Sequence, residues 1–357
     1  MALFGGYNSW DMQVYLGVLM LSFLINSLLV VKFINFLFAK KLTLKNEVKE
    51  ERRFSSVAFE KIRGKQALKA GTPTGLGMLF VITIPLIFLF FFVTFLYPRN
   101  SIEHISGFPF LGELTAILIT FLGFALIGVY DDLLKVFGFA KTGFFGLKRW
   151  QKFGLQWVVA FVSAGILYWV LGINFIHLNF ATIYLGWYYL PLAAFIIVAF
   201  ANAFDITSGL DGLGEGLLMI CLIAFWLISA TQLDGILQLF IGVWLGAIIA
   251  GLYFTVHPAR AFLGNASGMA FGSTLAMVGL LSGKVLPLLI IGGIFVIDGG
   301  SSLIQIIGKQ IFNRRIFPIA PIHHWFELVG WEEPKIVTRF WLAGIILAIA
   351  GVWLAFI

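Results

Sequence analysis

The chain alternates long apolar runs with short polar breaks. Ten runs can be drawn, near residues 13–38, 75–97, 111–130, 154–172, 184–203, 214–231, 236–256, 266–283, 285–307 and 338–357. Each has about the 20 residues that an α-helix needs to cross a hydrocarbon core of roughly 30 Å. The runs do not alternate apolar and polar residues, as the strands of an outer-membrane barrel would. The pattern predicts an all-α, polytopic integral membrane protein of about ten transmembrane helices, with residues 1–357 in a single membrane-embedded domain. Only Gly283 and Lys284 separate the eighth run from the ninth. The first run lacks a basic leading segment and is too long for the core of a cleavable signal peptide.

Composition agrees. Hydrophobic residues make up 60% of the 357 and charged residues 11%, against about a quarter charged in a soluble domain. Mean hydropathy is +0.99. Cys221 is the only cysteine, which excludes a disulfide-stapled secreted scaffold.

Charge placement orients the chain. Segment 39–74 holds ten Lys and Arg residues, and segments 131–153 and 308–340 hold five each. Arg260 lies in 257–265, and only Arg99 and Lys284 fall in the alternate connections. Retained loops are enriched in positive charge, so the odd-to-even connections are expected to be cytoplasmic and both termini outside. The net charge of +7 suits anionic lipid headgroups or a polyphosphate substrate, and no nucleic acid is needed to explain it.

The unusual loops all fall on that same side. GTPTGLG, Gly71–Gly77, contains Thr72 and enters the second span; alone it reads as a helix-entry turn. Asp131 and Asp132 end the third span, and adjacent carboxylates at membrane depth suit a cation or a functional site as well as a solvated helix end. ANAFDITSGLDGLGEG, Ala201–Gly216, carries Asn202, Asp205, Ser208, Asp211 and Glu215 with no basic residue, which favours cation coordination or a polar ligand over a mere turn. HPARAFLGNASGMAFG, His257–Gly272, is a Gly-rich helix entry whose N–H groups can face phosphate. APIHHWFELVGWEEPK, Ala320–Lys335, places His323 beside His324, a pair suited to phosphate binding or proton transfer near neutral pH. It is not an HExxH zinc motif. Lys148, Arg149 and Lys152 add positive charge before the fourth span.

Together these stretches resemble the polyprenyl-phosphate N-acetylhexosamine-1-phosphate transferase superfamily, and most closely its peptidoglycan branch. The likeness runs from Thr72 to Trp341, and APIHHWFELVGWEEPK is its most specific part. It implies transfer of phospho-N-acetylmuramoyl-pentapeptide from UDP-N-acetylmuramoyl-pentapeptide to undecaprenyl phosphate, with release of UMP, at the inner face of the bacterial cytoplasmic membrane. Mg²⁺ is the implied cofactor, with Asn265, Asp205 and Asp211 as its candidate ligands. Asp131 would be the base for the lipid phosphate and Asp132 its support, by direct attack or through an aspartyl-phosphate.

The same comparison places Asp211 and Asn202 at the nucleotide, Phe262 against uracil, Gln305 near the base, and Lys69 on the phosphates. Thr72, Lys148, Lys152 and Ser208 join the substrate contacts, and His323 and His324 match the first two of three histidines. A homodimer is also implied.

The chain departs from that pattern in four places. Asp205 stands for Asn, Ser208 for Asp, Asn265 for the metal-binding Asp, and Trp325 for the third His. Asp205 restores a carboxylate to a relocated site, or the chain is an impaired member that binds donor or lipid; a different UDP-N-acetylhexosamine donor and a non-catalytic transporter or scaffold are the other readings.

Overall fold

A computed structural model describes residues 9–44, 69–97, 109–137, 147–178, 181–232 and 234–357. The helices are α1 (Ser9–Ala39), α2 (Gly77–Phe91, continued by a π-helical turn to Leu96), α3 (Phe110–Phe137) and α4 (Arg149–Gly165, likewise extended to Val170). There follow α5 (Tyr189–Thr207), α6 (Leu213–Thr231), α7 (Gly235–Thr255), α8 (Asn265–Leu281), α9 (Val285–Ile291), α10 (Gly293–Phe312), α11 (Ile322–Leu328) and α12 (Glu333–Phe356). Eight of the described helices are long and apolar enough to cross a membrane.

The other two expected spans take different forms. The eighth run becomes α8, of 17 residues, roughly 26 Å long at 1.5 Å per residue. The ninth is broken: α9 and α10 meet at Gly292 with a bend of 79°. A side chain at Gly292 would stand 2.6 Å from the Phe200 ring, so the bend needs a glycine there. The break leaves few backbone groups unpaired, because Gly292 N–H donates to Leu288 and Val296 N–H to Gly292.

The all-α expectation also omitted a small hairpin. Phe175–Leu178 (β1) pairs antiparallel with Ala181–Tyr184 (β2) between α4 and α5. Each segment is far too short to span, and pairing satisfies its backbone locally.

Helix α8 is the centre of the bundle, packed against α3 and α5, with every residue from Ala266 to Leu281 buried. Its small residues admit close neighbours, the usual basis of helix association in lipid. A Cβ at Gly128 of α3 would lie 2.3 Å from the Asn265 carbonyl oxygen, so Gly128 is what lets α3 touch the start of α8. Around this pair, α1 packs on α7, α4 on α5, and α12 on α6. Polar ties join the helices: Ser22 donates to the Val243 carbonyl at 2.6 Å, Thr83 to Asn26 at 2.7 Å, and Thr120 to Ser163 at 2.9 Å. The outward faces of α1 and α12 are rich in exposed leucine, isoleucine and phenylalanine, as a lipid-facing surface requires.

Most of the basic segment 39–74, from Lys45 to Lys65, and also Arg99 and Lys141, lie outside the described residues.

Candidate active site

The polar loops singled out in the sequence converge at one end of the bundle. They connect α1 to α2, α3 to α4, α5 to α6, α7 to α8 and α10 to α12. Two charged clusters form there, joined through the loop before α8.

The first cluster is built on α3, α4, α5 and α8. Asp131 is buried, and a buried carboxylate is tolerable only when its oxygens are paired. Its Oδ1 accepts from the Leu147 N–H at 2.8 Å and its Oδ2 from the Asn265 amide at 2.6 Å. Lys152 Nζ lies 4.0 Å from Asp131 and 3.2 Å from Asp205, so one ammonium serves two acids. Asp132 turns the other way and accepts from the backbone N–H groups of Asn265 (3.3 Å) and Ala266 (3.0 Å). It caps α8, where the helix dipole and free N–H groups favour an anion.

Gly264 makes this approach possible, with φ +81° and ψ 176°, a region that glycine alone occupies comfortably. Gly268, one turn into α8, leaves room for Asp205, whose Oδ1 would stand 3.1 Å from a Cβ there.

The second cluster joins Lys69, Asp211, His257 and Glu333. Lys69 Nζ donates to Asp211 at 2.5 Å and to Glu333 at 2.6 Å. Asp211 Oδ2 also accepts from the Ala259 N–H at 3.1 Å and meets His257 Nδ1 at 3.1 Å, while the Asp211 N–H donates to Glu333. Burial alone would depress the Lys69 pKa, but Glu333 and Asp211 outweigh it and hold the ammonium above its ordinary value. Lys69 also sits 5.7 Å from the centre of the Phe262 ring. The loop of Gly75–Gly77 is fixed on this side by N–H bonds to the carbonyls of Phe262 and Leu263.

The remaining candidates have defined places. Thr72 lines a cavity of about 490 Å³ with Asn35, Phe38 and Arg260. Lys148 precedes α4 with its side chain exposed, and its N–H donates to Gln151. Asn202 pairs with Gln156 at 2.9 Å, and Ser208 donates back to the Phe204 carbonyl at the end of α5. Gln305 is bound to the backbone of Ile316 and Phe317, so it pins the loop after α10. His323 is wholly buried, with Nδ1 2.7 Å from Asp298, and His324 Nδ1 lies 2.6 Å from Glu327. Burial lowers the His324 pKa against the opposing pull of Glu327.

The proposed metal ligands are therefore not brought together as one set. Asp205 and Asn265 belong to the first cluster, whereas Asp211 is engaged by Lys69. Among the described residues, Asp211, His257 and Glu333 place one ligand atom each within 4.8 Å of one another, with Lys69 paired to two of them as Lys152 is to Asp131 and Asp205 in the first cluster. Four participants had no role from the sequence: His257, Glu333, Asp298 and Glu327. Asp298 carried the plainest signal, being a lone acid inside an apolar run; the others lay inside motifs without anything to name their partners.

Residues 114–283 match glycosyl transferase family 4. The phospho-N-acetylmuramoyl-pentapeptide-transferase of Bacillus subtilis (strain 168) is 32% identical over 352 residues, covering 96% of this chain and 98% of the relative. That of Heliobacterium modesticaldum is 34% identical over 303 residues, covering 84% and 88%; that of Bacillus pumilus is 33% identical over 348, covering 96% and 98%. With likeness of this degree running from end to end, the chain belongs to the phospho-N-acetylmuramoyl-pentapeptide-transferase family.

Proposed function

We propose that the chain transfers phospho-N-acetylmuramoyl-pentapeptide from its UDP carrier to undecaprenyl phosphate, releasing UMP, in the bacterial cytoplasmic membrane. The observation that carries this reading is full-length similarity to relatives named for that transfer. The convergence of acids and bases at one end of membrane-length helices supports it. A soluble anionic donor and a lipid acceptor have to meet at a membrane surface, and the charge of the loops supports a cytoplasmic one.

In this reading Asp131 takes the proton from the lipid phosphate. An oxygen of that phosphate then bonds to the sugar-bearing phosphorus of the donor, the bond from that phosphorus to the bridging oxygen breaks, and UMP leaves with the electron pair. Asp132 contributes by capping α8, which holds Asn265 against Asp131. Lys152 offsets the charge of Asp131 and Asp205. Lys69 and His324 meet donor phosphate, and Phe262 offers a flat face to uracil.

The first cluster suits a hard cation. Mg²⁺ is commonly held by one or two carboxylates plus substrate phosphates, and Asp205 with the side-chain oxygen of Asn265, beside Asp131, would hold it; the Asp205 side chain is 29% exposed and so reachable. When bound, the ion neutralises pyrophosphate charge and stabilises departing UMP.

The test is UMP release by purified protein given UDP-N-acetylmuramoyl-pentapeptide and undecaprenyl phosphate, with and without Mg²⁺. Metal-dependent turnover is expected, falling at least about 10²-fold in Asp131→Asn, as loss of a general base does. Asn265→Asp should lower the Mg²⁺ concentration needed. Turnover in Asn265→Asp alone would identify a binding protein disabled at its metal site, and silence in both would overturn the assignment of this donor.

A further inference from the structure

The histidine pair of α11 consists of two differently situated rings. His323 is 0% exposed and its acid partner Asp298, from α10, is 1% exposed. Asp298 holds His323 at two points: one carboxylate oxygen accepts from the His323 backbone N–H at 3.1 Å, and the other meets Nδ1 at 2.7 Å. A carboxylate only accepts, so Nδ1 carries a proton, and in the neutral ring Nε2 is then the bare nitrogen. That Nε2 is buried with no partner among the described residues. It faces Gly209, where a Cβ would stand 3.0 Å away, two residues before Asp211.

His324 keeps 13% of its side chain exposed, has its own acid on Nδ1 in Glu327, and touches the His323 ring edge-on at 4.2 Å between centroids.

We propose that Asp298 is a positioning residue for the transfer reaction: it fixes His323 in one tautomer and orientation, and His323 in turn sets His324 as the imidazole presented to substrate phosphate. The two histidines thus divide the work. His323 braces the short helix α11 against the turn that carries Asp211, and only His324 meets the substrate. An acid behind a site imidazole commonly fixes its ring and tautomer; here the chain of two rings carries that constraint from the interior of the bundle to its edge. A lone acid in an apolar helix is costly, and this role accounts for Asp298.

The inference rests on the transferase reading, and the test separates the two. The protein has five histidines, so isotope-labelled histidine gives a readable nitrogen NMR spectrum in detergent, assigned with His323→Asn. Wild-type protein should show His323 neutral with its proton on Nδ1. In Asp298→Asn, whose amide opposes a donor to a donor at one of the two contacts, that signal should move toward the other tautomer and the His324 signal should shift with it. UMP release should lose about tenfold or more in kcat, the range for an acid that orients a functional imidazole, with donor KM within about threefold. Asp298→Glu should recover part of the rate.

A proton on Nε2 of His323 in the wild type would overturn the proposal without any variant, so it stays testable if Asp298→Asn fails to fold. Unchanged signals and kcat in a folded Asp298→Asn would overturn it equally. Absence of UMP release from wild type would instead defeat the transferase reading and leave the tautomer result standing.

Discussion

Burial pulls the pKa of Lys69 down, and two carboxylates pull it up further. Its ion pairs therefore contribute stability that is complete below its unfolded value of 10.5 and is lost only as pH rises through the higher folded value. His324 behaves oppositely. Its folded pKa lies below 6.5, so on acidification the unfolded chain binds a proton that the folded chain refuses. Stability is present above about pH 6.5 and falls as pH drops toward the folded value. Thermal melts in detergent should be flat over roughly pH 7 to 9 and decline below it, with a shallower acid decline in His324→Asn. Adjacent acids ending an apolar run made Asp131 and Asp132 legible in advance. The pairing of Lys69 with Asp211 was not, because the two are 142 residues apart and nothing local connects them.

Helix α8 shows how an element is positioned by its ends. Asp132 holds its N-terminus, Gly264 enters it through a positive-φ conformation that favours glycine, and Gly128 lets α3 approach. Gly264→Ala would impose a Cβ on a conformation reserved for glycine and set it 3.0 Å from Asp132. The cost is about 1–3 kcal/mol, and the expected result is a lowered melting temperature together with a larger loss of UMP release, since Asn265 moves with the helix start. Unchanged turnover would separate this loop from the chemistry. Hydropathy located the element from its apolar length. It did not show that α8 is shielded on all sides, because full burial and lipid exposure demand the same apolar residues. The break at Gly292 was hidden for a related reason: an apolar run reads as continuous whether or not its helix turns by 79°.

For the whole molecule, the charge of the loops predicts a sidedness that labelling can check. Single cysteines introduced in a Cys221→Ala background should react with an impermeant reagent from outside at Lys284, and at Arg315 only after the membrane is opened. The reverse pattern would invert the topology and move the site away from the cytoplasm. Residue order alone determined the all-α membrane class, the number of apolar runs and that the polar loops gather at one end, since each depends on local length, hydropathy and charge. Tertiary structure decided that Asp131 and Asp205 share Lys152, that Asp211 is tied to Lys69 and Glu333, and that His323 lies behind His324. Those outcomes depend on close approach between helices far apart in sequence, at distances of 2.5–4.0 Å where electrostatics and hydrogen bonding act, and hydropathy carries no information on that scale.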